Sequence, residues 1–374
     1  MSWRKVTIMS QRIEFVKMAL QEGTNISELC RRFGISRKTG YKFLNRYKMF
    51  GVEGLFDLPK CPVHSPNQTS QEVEQLILDL RDKHSAWGGR KLKRRLEDMG
   101  YSQLPSPSTI TAILKRNGRI CEEESVKHKS WERFEAPSPN DLWQMDFKGH
   151  FQVREGRCHP LTVLDDHSRF SICINACENE KKQTVQDALT GVFRKYGLPY
   201  AMLIDNGPPW QRHGEIEYTS FTVWLMRLGI SVIHSRPLHP QTLGKDERFH
   251  RTMKAEVIPK CIDKSIIQCQ QFFEDWRIVY NTERPHEAID MEVPSKVYNV
   301  SNRIFPEKIE EIEYGPDDYV RKVQDGGRIC FKNKEYKVSK AFKGQRIAIR
   351  PQNVDGMFDV YFCCYKIAHI DLNE

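Results

Sequence analysis

Hydrophobic periodicity changes once along this chain, near residue 140, and that change limits what it can fold into. Upstream, apolar residues recur every three or four positions, as at Ile13, Val16 and Leu20, which reads as helix. From Leu142 they alternate: Trp143, Met145 and Phe147 share one face of a strand and Asp146 projects from the other. A chain of 374 residues that switches pattern in this way is expected to form two or three domains of roughly 150 residues each.

Composition narrows the class. With 39% hydrophobic and 29% charged residues there is apolar material for packed cores, which excludes wholesale disorder and collagen-like or membrane architectures. No run approaches the roughly 18 apolar residues of a membrane span, and the polar start around Trp3 to Lys5 lacks a signal-peptide core, so a cytoplasmic protein is expected. Eleven cysteines scattered along the chain suggest reduced thiols and no disulfides. Residues 1–140 hold 25 Lys and Arg against 16 Asp and Glu, whereas residues 141–374 hold 33 of each. The whole surplus of +9 is therefore N-terminal and favours a polyanionic partner there. A merely solvated charged face is the alternative.

Residues 1–60 read as a helix-turn-helix domain. A helix over Gln11 to Gln21 precedes a short one from Ser27, its expected cap, to Phe33. Gly34 then makes a turn and Ser36 starts a second helix with Tyr41, Leu44 and Tyr47 on its packing face. That helix carries Arg37, Lys38, Lys42, Asn45 and Arg46, suited to phosphates and base edges in a major groove. After a Gly- and Pro-rich stretch, residues 67–120 read as a second helical DNA-binding domain. In it a basic amphipathic helix within Trp87 to Gly100 offers Arg90, Lys91, Lys93, Arg94 and Arg95 to phosphate, and Ser108 is the expected cap of the next helix. Cys61 and His64 lack a completing pair at zinc-finger spacing. Residues 121–139 form a charged linker.

Residues 140–305 read as an α/β domain. Strands are expected at Leu142 onward, Leu161 to Leu164, Phe170 to Ala176, Ala201 to Asp205 and Ile230 to Ile233. Helices are expected at Thr184 to Tyr196 and Thr219 to Leu228, and through the charged stretch beyond Gly244. Asp205 falls at a strand's C-terminal end, where open α/β sheets place ligands. On the charged helix Glu247, His250 or Arg251, and Lys254 share a face, so a carboxylate points the same way as the phosphate-binding candidates Lys245, Arg248, Arg251 and Lys254. An acid in an apolar strand, one at a strand end and one on a helix can together hold two divalent cations about 3.5–4 Å apart. Hard carboxylate oxygens suit magnesium, with manganese as a substitute.

The stretches Trp143-Gln144-Met145-Asp146-Phe147-Lys148-Gly149, Leu164-Asp165-Asp166-His167-Ser168-Arg169, Asp205-Asn206-Gly207-Pro208-Pro209 and the run from His239 to His250 resemble the DDE-type insertion-sequence transposases that are similar to retroviral integrases. The resemblance extends to the N-terminal helices and to the run from Tyr280 to His286. It implies an RNase H-like core with a mixed sheet and assigns the catalytic, metal-holding triad to Asp146, Asp205 and Glu247. It also implies binding of terminal inverted repeats, cutting of DNA ends, and joining of a 3′-hydroxyl to target DNA by a dimer or higher assembly on double-stranded DNA. Leu243 stands where a small polar residue is frequent and Asp246 where an apolar one is common. Asp165 and Asp166 most simply stabilise a turn, His239 and His250 are read as DNA contacts or local hydrogen-bonding groups, and Asn281, Arg284 and His286 are read as helix packing.

Residues 306–374 read as a small β-barrel or sandwich of about five strands: Tyr319 to Val323, Arg328 to Phe331, Glu335 to Val338, Arg346 to Arg350 and Phe358 to Cys364. Two rival readings stay open. One is a noncatalytic, sequence-specific DNA-binding regulator, against which the three acids argue. The other is a metal-dependent nuclease that cuts without joining, which no residue separates from a transposase.

Overall fold

The upstream spacing becomes helices in the computed structural model, which describes residues 7–58, 68–120, 135–205, 207, 210, 218–235 and 244–373. Cys61, His64, His239, Leu243 and most of the charged linker lie outside the described residues. The chain divides into two compact units, residues 1–68 and 69–374.

The first unit packs α1 (Ile8–Ala19), α2 (Ile26–Arg32) and α3 (Arg37–Phe50) around Phe15, Val16, Leu29, Cys30, Phe43 and Leu44. Thr7 and Ser10 form a capping box that starts α1 earlier than its apolar spacing suggests. Asn25, not Ser27, caps α2, accepting from the Ser27 and Glu28 amides at 3.0 and 3.3 Å. Gly34 turns the chain at φ +66°, a conformation glycine adopts without a side-chain clash. Ser36 then caps α3, accepting from Thr39 N at 3.1 Å. Tyr41 does not join the packing face. It is exposed, and Gly40, Phe43 and Leu44 take that face.

The second unit begins with α4 (Gln71–Lys83), α5 (Gly89–Asp98) and α6 (Pro107–Arg116), closed over Ile77, Trp87, Leu92, Leu96 and Ile110. Ser106, not Ser108, caps α6, because Pro107 occupies the first helical position and the Ser106 hydroxyl accepts from Thr109 N.

The alternating region forms a mixed sheet of β1 (Leu142–Phe147), β2 (Phe151–Val153), β3 (Gly156–Asp165), β4 (Ser171–Cys177), β5 (Ala201–Ile204) and β6 (Ser231–His234). β3 runs antiparallel to β1, β2 and β4, whereas β1, β5 and β6 are parallel neighbours. Helices α7 (Lys182–Tyr196) and α8 (Ser220–Arg227) cover the face bearing Trp143, Met145, Met202 and Ile204. On the other face lie α9 (Gly244–Glu256), α10 (Ile258–Cys261) and α11 (Ile266–Thr282), packed on Leu164 and Ile174 through Phe249, Met253 and Phe273. The short α12 (Pro294–Val297) follows. This is a mixed α/β layer arrangement of the RNase H type.

The tail contains one more strand than its sequence suggests. β7 (Tyr319–Lys322), β10 (Arg346–Pro351), β11 (Met357–Phe362) and β12 (Tyr365–Asp371) make an antiparallel sheet, and β8 (Arg328–Phe331) pairs with β9 (Lys334–Lys337). The expected strand from Phe358 to Cys364 ends at Phe362. Cys363, at φ +53°, turns the chain into β12. The tail's core includes Val223 and Met226 of α8. The nine described cysteines are free thiols, and no helix among the described residues is long and apolar enough to cross a membrane.

Candidate active site

Asp146 and Asp205 reach each other through strand register. β1 and β5 run parallel with Met145 opposite Ile204, and the next position in each strand direction is Asp146 and Asp205. Alternation turns both away from the face that buries Met145 and Ile204 and toward the side of α9. The result is a pair of carboxylates at neighbouring strand ends. Burial, and after it the Asp205 charge, push the Asp146 carboxyl up to about 7.

His250, on the inward face of α9, lines the same corner. The Thr162 hydroxyl donates to the Asp146 carbonyl at 2.9 Å, so at its 2.7 Å contact with His250 Nε2 it accepts. Nε2 therefore carries the imidazole proton, and Nδ1 faces Asp146 Oδ2 at 3.7 Å as a bare lone pair. Burial, with Lys148 adding to it, pulls His250 down to about 3, so the ring is neutral and does not compensate Asp146.

Glu247 sits on the first turn of α9 with its side chain exposed, and Arg248, Arg251 and Lys254 are exposed on the same helix. The choice left open between His250 and Arg251 is thereby resolved: Arg251 is outward with Glu247 and Lys254, and His250 is inward. Among the described residues no group of three His, Cys, Asp or Glu stands close enough to hold a metal ion. Two facing carboxylates with a neutral histidine beside them are nonetheless a hard-oxygen donor set whose mutual repulsion a divalent cation relieves, so the residues fit such an ion.

Other positions have different surroundings from those their residue types suggest. Lys245 turns inward and pairs with Asp166. On α5, Arg94 binds Glu292 at 2.7 Å, Arg95 binds Glu283 at 2.7 Å and Arg90 approaches Glu287 at 3.7 Å. Lys91 is pulled down to about 7, by burial first and then by Arg284 and Arg248. The basic face of α5 is thus directed at acids of the central domain. Arg37, Lys38, Lys42 and Asn45 of α3 are exposed, while Arg46 donates to the Phe56 carbonyl and lies over Phe43.

Asp165 and Asp166 are wholly buried and more deeply wired than a simple turn requires. Asp165 accepts from Asn140 N and Ser168 N at 2.7 and 2.8 Å, and Asp166 accepts from Ala136 N and Gln144 Nε2 at 2.7 and 2.6 Å. Asn281 and Arg284 serve packing: Asn281 brackets Ser171 and Arg284 pairs with Glu256. Sequence reasoning overlooked Trp210, whose indole Nε1 donates to Asp205 Oδ1. Its signal was a lone tryptophan five residues after the acid.

Similarity to known proteins extends over the N-terminal, central and C-terminal regions of the chain. The Integrase core domain description matches residues 136–240, and a second integrase core description matches 228–294. The C-terminal domain of IS481 family transposases matches 318–374, and helix-turn-helix and homeodomain-like descriptions match 11–62 and 39–114. These matches relate the chain to DDE transposases and integrases. Its central domain, over residues 136–294, is similar to integrase core domains.

The chain is 28% identical over 60% of its length to the 39.2 kDa protein of insertion element IS476 from Xanthomonas euvesicatoria, and spans 63% of that protein. It is 22% identical over 74% of its length to the 31.7 kDa protein of insertion element IS407 from Burkholderia multivorans, and spans 92% of it. Among solved structures, the HTLV-2 integrase catalytic core domain in complex with magnesium aligns with 44% of this chain and 99% of its own, at 15% identity and a TM-score of 0.34.

Proposed function

We propose that this chain is an insertion-sequence transposase that binds the terminal inverted repeats of its element, cuts the DNA ends and joins the freed 3′-hydroxyl to target DNA. The observation that carries this reading is the convergence of Asp146 and Asp205 at adjacent parallel strand ends beside a neutral His250. Asp146, Asp205 and Glu247 are the residues that would hold Mg2+, or Mn2+ in its place, with two ions per site. Bound there, the cations supply charge stabilisation to the attacking and leaving oxygens of a phosphodiester.

The chain's own side chains do the rest. Exposed Arg248, Arg251 and Lys254 flank Glu247 on α9 and orient the DNA backbone by phosphate contacts, which position without reading sequence. Arg37, Lys38, Lys42 and Asn45, with Arg46 behind them, present α3 to a major groove. Domains at 1–60, 67–120, 140–305 and 306–374, joined by the linker at 121–139, divide recognition from chemistry, and the tail closes as a barrel or sandwich that serves DNA and subunit contacts. Pairing two element ends calls for a homodimer or higher assembly on double-stranded DNA, acting in the cytosol.

Incubating the purified chain with Mg2+ and a labelled duplex carrying the inverted ends that flank its gene tests the reading. Joined products support it. Cutting without joining moves the protein to the nucleases, and binding without cutting makes it a DNA-binding regulator.

A further inference from the structure

Trp210 is buried at 1% exposure beside the two converging aspartates. Its ring stacks on Phe147, the neighbour of Asp146, with centroids 5.7 Å apart and planes 10° from parallel. On another side it meets Phe221 of α8 at 5.8 Å. Those two rings fix the indole plane, and the fixed plane aims Nε1–H at Asp205 Oδ1. The other carboxylate oxygen is confined as well, because a Cβ at Gly207 would stand 2.8 Å from Asp205 Oδ2. One oxygen is thus held by a donor and the other lies against a bare α-carbon.

The choice of donor matters chemically. An indole N–H donates one hydrogen bond, accepts none and carries no charge in either protonation state of its neighbour. It therefore orients Asp205 without neutralising it, which a lysine or protonated histidine in the same place would do. A phenylalanine would fill the slot between Phe147 and Phe221 and offer no donor.

We propose that Trp210 is a positioning residue: its indole N–H locks the Asp205 carboxylate in the orientation that receives a divalent cation. The inference rests on the reading of Asp146 and Asp205 as cation ligands. Groups that orient a ligand from behind typically contribute roughly 10–100-fold to metal affinity, and a loss of that size is expected when the N–H is removed and the ring kept.

The test is Mn2+ binding to the full chain in the absence of DNA, read from the electron paramagnetic resonance of free Mn2+ and, in parallel, from quenching of tryptophan fluorescence. Wild type, Trp210→Phe and Asp205→Ala are compared, with circular dichroism to establish folding. Should the phenylalanine variant fail to fold, β-(3-benzothienyl)alanine at position 210 keeps the bicyclic shape and lacks the N–H. The expected result is Mn2+ binding by wild type that Asp205→Ala abolishes and that loss of the N–H weakens roughly 10–100-fold, with the quenching component of residue 210 gone. Wild-type affinity without the N–H overturns the inference alone. A wild-type chain that binds no Mn2+ at an Asp205-dependent site overturns the cation reading and this inference with it.

Discussion

Lys245 Nζ lies 2.5 Å from Asp166 Oδ1 and 3.1 Å from the Asp166 backbone carbonyl, tying the first turn of α9 to the loop between β3 and β4. Asp166 is wholly buried, and its carboxylate also holds Ala136 N and Gln144 Nε2. Glu247 is two residues from this anchor. A lysine that reads as a phosphate binder in the sequence is therefore the internal counter-ion that seats the helix carrying the third acid. Lys245→Met leaves a buried charge unpaired and is expected to cost about 3–5 kcal/mol. Urea denaturation measures it. Lys245→Met combined with Asp166→Asn should recover part of the loss, and a single variant as stable as wild type would refute the anchor.

Asp246 is fully buried, and neither carboxylate oxygen has a hydrogen-bond partner. Burial, then Asp146 and Asp166, raise its pKa well above the usual carboxylate range. The folded state thus holds a proton that the unfolded state releases, so stability is greatest below the ordinary Asp value and falls as pH rises toward the raised one. Asp246→Asn removes that slope. In chelator at neutral pH the variant should be more stable than wild type, because the buried carboxyl no longer has to hold a proton or carry an unpaired charge. Melting curves at acid and neutral pH decide it, and a variant that loses stability on neutralisation as wild type does would contradict the assignment.

A proton and a cation compete for Asp146. Its carboxyl titrates at about 7 without metal, so binding must displace a proton below that pH and none above it. Apparent Mn2+ affinity should climb about tenfold per pH unit on the acid side and level off on the alkaline side. Titrations across neutrality measure the curve. Affinity that does not change with pH on the acid side would place the cation elsewhere.

The arginines of α5 and α3 should separate by phenotype. Arg94 and Arg95 are each about two-thirds or more covered and bonded to Glu292 and Glu283. Alanine at either should cost about 1 kcal/mol of stability and alter DNA affinity little. Arg37 and Lys38 are exposed, and alanine at either should weaken DNA binding and lower the salt slope by about 1. Anisotropy titrations at several salt concentrations read both sets. Equal losses of affinity from the two helices would show that α5 leaves the acids to meet DNA.

Where local rules govern, the sequence was legible. Alternation in Trp143 to Phe147 placed Asp146 opposite the core-facing residues, and Ser36 after Gly34 marked the start of α3. Legibility ended where capping neighbours compete: Asn25 displaced Ser27 because its carboxamide reaches two amides, and Pro107 selected Ser106 over Ser108. It also ended where charge is satisfied over long sequence distances. Arg94 and Glu292 are 198 positions apart, and nothing near Arg94 marks it as an interior partner. Strand register explains why Asp146 and Asp205 meet, since parallel pairing across 59 residues is a tertiary choice that each short segment leaves open.

The most direct test of the account is strand transfer by purified protein carrying Asp146→Asn, Asp205→Asn or Glu247→Gln, on labelled element ends with Mg2+ and with Mn2+. Each substitution keeps the side chain's shape and removes a ligand charge. The account predicts that joined product disappears in all three while binding to the ends persists. Joining at the wild-type rate in any one of them would contradict the assignment of that acid to the reaction.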